Sequence, residues 1–352
     1  MGAESGSGAE DRRWMRRALT LAKRAWGRTS PNPLVGAVLV RDGVTVGEGW
    51  HQRAGTAHAE VHAIAAAGEH SAGSTLYVTL EPCCTQGRTP PCTAAIQQAG
   101  IARVVVGCQD ANPRHAGQGL HLLRSAGIAV SSGVLQEACQ DLNEGFFWWI
   151  RQRRPFVVLK MAMTLDGRIA TAAGESRWIT GLAARQRVQR LRQWADAVMV
   201  GGATVRADNP ALTVRAPARW PRQPQRCVWT AGALPMDRAV WDDPERPPIV
   251  AKPVSRAQWV EFLDDLGRRE LTTLLLEGGG ELAAAALRAG VVNKVAFFVA
   301  PRLLGGRGSR PVVGGADPAR LEEAMSLQRL QVAHVGQDLL VTGYCTHVYG
   351  AD

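Results

Sequence analysis

Apolar residues recur at helical spacing between Glu10 and Trp26, at Trp14, Ala18, Leu21 and Ala25, and predict an opening helix. The segment Thr29-Ser30-Pro31-Asn32-Pro33 stops it, because residues before proline avoid the helical region. Leu34–Val40 and Val44–Trp50 are rich in β-branched residues and flank Asp42-Gly43, the pairing that predicts a tight hairpin. His58–Ala67 reads as a short helix ending near Gly68, and Thr75–Leu80 as a strand. A Gly/Pro-rich loop follows, then a helix to Gln98 with Gly100 past its end. Arg103–Cys108 predicts a strand, and Gly119–Ser125 with Ile128–Ser131 repeats helix then strand. This alternation predicts a small layered α/β unit.

Over 143–155 the pattern turns aromatic and then basic, with Phe146-Phe147-Trp148-Trp149 followed by Arg151, Arg153 and Arg154. A boundary there divides the chain into a first domain over 10–150 and a second over 151–352. The second half predicts strands at Phe156–Met161, Ala197–Val200, Cys227–Trp229, Leu271–Leu276 and Lys294–Val299. It predicts helices at Ala183–Trp194 and Glu281–Arg288, so it too is α/β. The stretch 216–248 is rich in Pro and Arg and reads as irregular surface. Residues 1–9 are small and acidic without an apolar run, which predicts a disordered tail rather than a secretory signal.

With 352 residues the chain is long enough for two cores. No apolar run is long enough to span a membrane, and seven cysteines are an odd set that suits a reducing, cytoplasmic setting. The formal charge of +10 invites a nucleic-acid reading. Placed along the chain, however, it is +1 over 1–150 and +9 over 151–352, with the arginines scattered. That distribution suits phosphorylated small molecules at least as well as a polyanion, and no nucleic-acid partner is expected.

The sharpest chemistry lies in the first half. His58-Ala59-Glu60 opens one predicted helix, and Pro82-Cys83 and Cys92 lead into the next. One His and two Cys suit zinc and leave a fourth position for water. Zinc lowers the pKa of such a water. Glu60, two residues from a ligand, is placed to take the proton and hand it to a leaving amine. This is the zinc-deaminase arrangement, except that eight residues separate the cysteines instead of two. Cys83 and Cys92 alone would equally suit a structural zinc corner. A structural site, though, needs no general base such as Glu60.

The combination of Thr29-Ser30-Pro31-Asn32-Pro33, Gly49-Trp50-His51, His58-Ala59-Glu60 and Glu81-Pro82-Cys83 through Gly87-Arg88-Thr89-Pro90-Pro91-Cys92 closely resembles the bifunctional deaminase/reductase family of riboflavin biosynthesis. The long cysteine gap is normal in that family. The resemblance implies a cytidine-deaminase-like three-layer first domain in which Asn32, His51 and Arg88 contact the pyrimidine or its phosphoribosyl group. It departs at Cys84-Thr85, where the family usually has Ser-His, a difference that bears on deaminase efficiency and substrate preference.

The second half has no G-x-G-x-x-G fingerprint. It has Glu277-Gly278-Gly279-Gly280 and Val200-Gly201-Gly202, glycine-rich junctions whose exposed N–H groups suit a pyrophosphate or merely a tight turn. Lys160 with Thr164-Leu165-Asp166-Gly167-Arg168, Gly174-Glu175-Ser176-Arg177-Trp178, Ala207-Asp208-Asn209-Pro210 and Leu303-Leu304-Gly305-Gly306 resemble the same family's reductase domain, which is dihydrofolate-reductase-like in fold. The resemblance implies that Ala162, Trp178, Thr204, Asp208 and the run Gly279, Gly280, Glu281, Leu282, Ala283, Ala284 and Ala285 line NADPH. It implies that Ser176, Arg192, Leu212, Arg215 and Glu277 hold a ribosyl-phosphate substrate. Where the family's strand near Val228 ends in Asp-Ser, this chain has Thr230-Ala231. The implied protein is a homo-oligomer, dimer or tetramer, acting on small phosphoribosyl pyrimidines. A paralogue serving a related pyrimidine metabolite and, further off, a nucleic-acid deaminase are the alternatives.

Overall fold

The computed structural model describes residues 6–86, 90–113 and 115–346. The chain divides into two compact units between Gln152 and Arg153.

The first unit runs α1 (Gly6–Ala22), β1 (Gly36–Arg41), β2 (Val44–Trp50), α2 (Ala59–Ala67), β3 (Thr75–Leu80), α3 (Cys92–Gln98), β4 (Arg103–Cys108), α4 (Gln118–Ser125), β5 (Ala129–Ser132), α5 (Gln136–Leu142) and α6 (Glu144–Gln152). Its sheet has the order β2-β1-β3-β4-β5, with β1 antiparallel to both neighbours and β3, β4 and β5 parallel. Asp42 and Gly43 take φ of 51° and 74°, the left-handed pair that a two-residue hairpin turn requires.

Glycines set how the helices meet this sheet. A Cβ on Gly36 would strike the α1 backbone at Ala18, and one on Gly49 would strike the α2 backbone at Ala59 and Ala63. Gly36 pairs with Trp50 and Gly49 with Ala37, so the two glycines face opposite sides of the pleat. Helices α1 and α2 therefore cover opposite faces, which makes the unit three-layered. Helix α1 starts at Gly6, inside the segment expected to be tail. The cause is tertiary: Asp11 is buried and held by Arg103 (2.7 Å) and Tyr77 (3.0 Å), and extending an anchored helix upstream costs little.

The second unit runs β6 (Phe156–Thr164), β7 (Arg168–Ala170), α7 (Leu182–Trp194), β8 (Ala197–Gly201), α8 (Gly202–Asp208), β9 (Gln225–Trp229), β10 (Ile249–Ala251), α9 (Arg256–Arg268), β11 (Thr273–Leu276), α10 (Gly280–Arg288), β12 (Lys294–Ala300), β13 (Arg310–Pro311), β14 (Gln328–Val335) and β15 (Asp338–Tyr344). Eight strands form one sheet in the order β10-β9-β8-β11-β6-β12-β15-β14, parallel from β10 through β12 and antiparallel beyond. Strands β8 and β11 are buried throughout, as their unbroken apolar runs require. Leu159, Met199, Leu274 and Leu276 from the sheet pack with Trp259, Leu263 and Leu266 of α9 and Leu282 and Ala286 of α10. No helix among the described residues is long and apolar enough to cross a membrane.

Candidate active sites

Three elements of the first unit bring the expected zinc ligands together. His58 is the extended N-cap of α2, Cys92 is the first residue of α3, and Cys83 sits in the loop after β3. His58 Nδ1 lies 3.2 Å from Cys92 Sγ and 3.5 Å from Cys83 Sγ. All three donor atoms fall within 4.8 Å of one another, and they form the one His/Cys/carboxylate group of this kind among the described residues. The Cys92 N–H donates to Cys83 Sγ (3.3 Å) and the Thr93 N–H to the Cys83 carbonyl (3.2 Å), so the N-terminus of α3 fixes the loop. The hydrogen bond with Cys92 pulls the Cys83 thiol down to about 4, while the same contact and burial push Cys92 far up. Two thiols and an imidazole competing for protons at this range are a donor set that fits a divalent zinc ion. His62, one turn on, lies against Gly49 and not in this set.

Glu60 is in the first turn of α2 and only 3% exposed. Burial raises its carboxyl to about 7, in the range of a group that exchanges a proton near neutrality. His51 packs edge-on against His58 with ring centroids 5.4 Å apart. Burial holds its imidazole below the usual range, so the ring is neutral at pH 7. Its Nδ1 is 3.1 Å from the Ala57 carbonyl and its Nε2 3.1 Å from Asn32 Nδ2. The carbonyl only accepts, so Nδ1 carries the proton and Nε2 accepts from Asn32. Asn32, His51, His58, Glu60, Cys83 and Cys92 thus converge, while Arg88 lies outside the described residues.

The sequence motif includes Glu81 but assigns it no role. Its buried carboxylate accepts the N–H groups of Asp110 (3.1 Å), Gly117 (3.0 Å) and Gly119 (3.0 Å), which clamps the loop after β4 to the strand end that delivers Cys83. The same loop places His115 Nδ1 3.5 Å from Cys84 Sγ.

In the second unit, two strand–glycine–helix junctions lie side by side. The Gly201 N–H donates to the Gly278 carbonyl (3.0 Å), and the Gly279 N–H donates to Thr204 Oγ1 (3.2 Å). Gly278 has φ of 91°, open to glycine alone at low cost. A Cβ on Gly280 would sit 2.8 Å from the Pro311 carbonyl oxygen. The bare backbone at the head of the nine-residue α10 fits a cofactor pyrophosphate. Met161 borders Gly278, which brings Ala162 of β6 to the same end of the sheet.

The run after Gly280 divides. Leu282, Ala283 and Ala284 are buried, and Leu282 and Ala283 belong to the hydrophobic core. Leu282 and Ala283 face the sheet, Ala284 lies beside Gly315, and the Ala283 N–H donates to the Gly279 carbonyl (3.1 Å). Ala285 is half-buried. Glu281 is exposed, and its carboxylate accepts from the Gly315 N–H (3.3 Å).

Arg192 and Glu277 are found together, but as partners of each other. Arg192 donates to both Glu277 carboxylate oxygens (2.6 and 2.9 Å) and to the Thr213 carbonyl (3.0 Å), and Lys160 Nζ stands 3.9 Å from the same carboxylate. Burial pushes Glu277 up, yet the Arg192 charge and hydrogen bonds, with Lys160, outweigh it and hold the carboxyl below its usual range. Burial likewise holds Lys160 below the usual lysine range. Arg192 is therefore not a free phosphate fork, whereas Arg215 is exposed. Leu212 is buried with φ of 56°. Ser176 Oγ donates to Asp208 (3.4 Å), which Arg177 also approaches at 3.8 Å. Trp178 is 61% exposed, so it is no core aromatic; Arg185 stacks 4.6 Å from its ring centroid and Arg302 donates to its carbonyl (2.9 Å).

Residues 9–108 match the model of the cytidine and deoxycytidylate deaminase zinc-binding region, and residues 155–341 match that of the RibD C-terminal domain. The riboflavin biosynthesis protein RibD of Synechocystis sp. is 44% identical over 95% of this chain and 96% of its own length. That of Escherichia coli is 41% identical over 97% of this chain and its full length. RibD of Acinetobacter baumannii superposes with a TM-score of 0.86 at 38% identity, covering 96% of this chain and 99% of that one. A Thermotoga maritima diaminohydroxyphosphoribosylaminopyrimidine deaminase/5-amino-6-(5-phosphoribosylamino)uracil reductase does so with 0.85 at 34% identity, over 96% and 99%. With relatives this similar over nearly its whole length, the chain belongs to the RibD family of riboflavin biosynthesis proteins.

Proposed function

We propose that this chain deaminates 2,5-diamino-6-(5-phosphoribosylamino)pyrimidin-4-one in its 10–150 domain and then reduces the ribosyl group of the product to ribityl in its 151–352 domain. The observation that carries the reading is the His58, Cys83 and Cys92 trio with a buried Glu60 on the same helical turn, in one chain with the glycine cradle of α10.

In the first domain His58, Cys83 and Cys92 would hold zinc, which when bound would supply the Lewis acidity that makes water nucleophilic near neutral pH. Water adds at the ring carbon bearing the amine, and the carbon–nitrogen bond breaks as ammonia leaves. Glu60 takes one of the water's protons and delivers it to the departing nitrogen, while the other passes from the new hydroxyl to the ring nitrogen as the carbonyl forms, so Glu60 ends the cycle as it began. Neutral His51 and Asn32, locked to one another, orient the pyrimidine together with Arg88. Cys84-Thr85 stand where a histidine is usual, so this chain positions its substrate there by other groups.

In the second domain NADPH, when bound, supplies hydride to the ribosyl C1′, and one proton completes the reduction. Ala162, Trp178, Thr204, Asp208 and the run 279–285 at the head of α10 would hold the cofactor. Ser176, Leu212 and Arg215 hold the phosphoribosyl substrate, and Arg192 stiffens Glu277 beside it. We read the protein as a cytoplasmic homo-oligomer. Seven cysteines with no disulfide among them and the exposed edge strand β14, with Leu330 and Val332 each 59% exposed, support that reading.

The test is ammonia release from the phosphoribosyl diaminopyrimidinone by the purified protein. Glu60→Gln is expected to lower the rate by about 10²–10⁴-fold with zinc content retained. A wild-type protein that binds zinc stoichiometrically yet releases no ammonia would sink the deaminase half.

A further inference from the structure

The carboxyl ends of four adjacent strands form a row. Gly201 of β8 is in register with Trp229 of β9, and Trp229 with Ala251 of β10, while the Gly201 N–H is tied to Gly278 beyond β11. The residues that follow are therefore neighbours in order: Gly279, Gly202, Thr230 and Lys252, roughly 4.8 Å apart per strand. The packing is close, since a Cβ on Gly202 would sit 2.6 Å from Thr230 Cβ.

The two ends of this row differ in chemistry. Ala162, Glu277, Arg192 and Lys160 belong to the β6 and β11 side, where the reading above places substrate and hydride transfer. On that reading the reacting end of a bound dinucleotide would lie there, and its pyrophosphate on the glycines. A cofactor laid across the carboxyl ends of parallel strands then carries its adenosine half towards β9 and β10. At that end Lys252 is exposed, with its Nζ 5.4 Å from the centroid of the Trp229 ring. Trp229 is itself fixed, donating from Nε1 to the Pro253 carbonyl (3.0 Å). The Thr230 hydroxyl accepts from the Gly232 N–H (3.1 Å), and the turn Thr230-Ala231 brings no carboxylate to compete for the ammonium.

We propose that Lys252 binds the 2′-phosphate of NADPH and so sets the preference of this reductase for NADPH over NADH. The inference rests on the reductase reading above, and the phosphate is what distinguishes the two cofactors. An ammonium held over an indole face is a point charge at the edge of the groove, suited to a dianionic monoester. Its contact with solvent makes the preference sensitive to salt.

The experiment is direct titration of the full chain with NADPH and with NADH, followed by dihydronicotinamide fluorescence, at low and high salt. Wild type binds NADPH more tightly, and the preference narrows as salt rises. In Lys252→Ala the affinity for NADPH falls about tenfold or more, as for a lost hydrogen bond to a charged group, and NADH binding changes by less than about twofold. Lys252→Arg restores most of the preference. An unchanged NADPH to NADH ratio in Lys252→Ala, or an equal loss for both cofactors, overturns the inference while leaving the reductase intact. A wild type that binds neither cofactor overturns the reductase reading and this inference with it.

Discussion

Glu277 keeps a charge in the interior because Arg192 and Lys160 surround it. Glu277→Gln would leave two buried cations without their counter-charge, which typically costs about 3–5 kcal/mol. Its folded carboxyl titrates below the usual value, so the stability it contributes is complete above the unfolded pKa and is lost as pH falls through the folded one. Urea unfolding from pH 7 down to pH 3 should show wild type losing stability below about 4.5, and Glu277→Gln starting lower with a flatter acid limb. Equal stabilities at pH 7 would show that the pair is not needed. This pairing was invisible in the sequence, where Arg192 and Glu277 stand 85 residues apart and the family resemblance implied only that both hold the substrate. The zinc trio was legible because ligation demands particular side chains, two of them at helix starts that leave local marks and the third, Cys83, in the loop just before one. Glu81 was not legible, because it acts through three backbone N–H groups that no residue type announces.

Helix α2 shows how one element carries the site. It presents His58 at its cap and Glu60 in its first turn, and its seat on β2 depends on Gly49. In Gly49→Ala the new methyl meets the backbone at Ala59 and Ala63, which cannot swing aside as a side chain could. The helix must shift, at a cost of about 1–3 kcal/mol. The prediction is a lowered melting temperature together with reduced zinc content by metal analysis. A variant that keeps full zinc occupancy and melts like wild type would show that α2 is not seated this way. Periodicity revealed α2, α3, α7 and α10 and most inner strands to within a few residues. Helix α9, for which no helix is expected above, also carries full signals, with Trp259, Phe262, Leu263 and Leu266 on one face and a Ser255–Gln258 capping box. Helix α6 was hidden in the aromatic-to-basic change that marked the boundary. Strand β14 is exposed along nearly its whole length, and its alternation is confined to Leu330-Gln331-Val332, too short to mark a strand.

At the scale of the molecule, the two chemistries occupy separate stretches of chain. His58, Glu60, Cys83 and Cys92 precede Gln152, and Lys160, Arg192, Glu277 and the glycine cradle follow it. The charge divides in the same way, nearly neutral over 1–150 and +9 over 151–352, the half to which NADPH and a phosphorylated substrate both bring anions. The described residues of the second unit contain no His/Cys/carboxylate group placed to hold a metal. Stripping zinc with a chelator should therefore abolish ammonia release and leave NADPH oxidation on the already deaminated substrate within about twofold of the untreated rate, a difference of less than about 0.5 kcal/mol in barrier. Binding of zinc stabilises the fold that presents its ligands, so the apoprotein should also show a lowered first melting transition. Adding zinc back should restore both. If chelation instead removed both activities in parallel, and zinc returned both, reduction in this protein would require the metal-bound first unit, and the separation of the two chemistries along the chain would not be a separation of function.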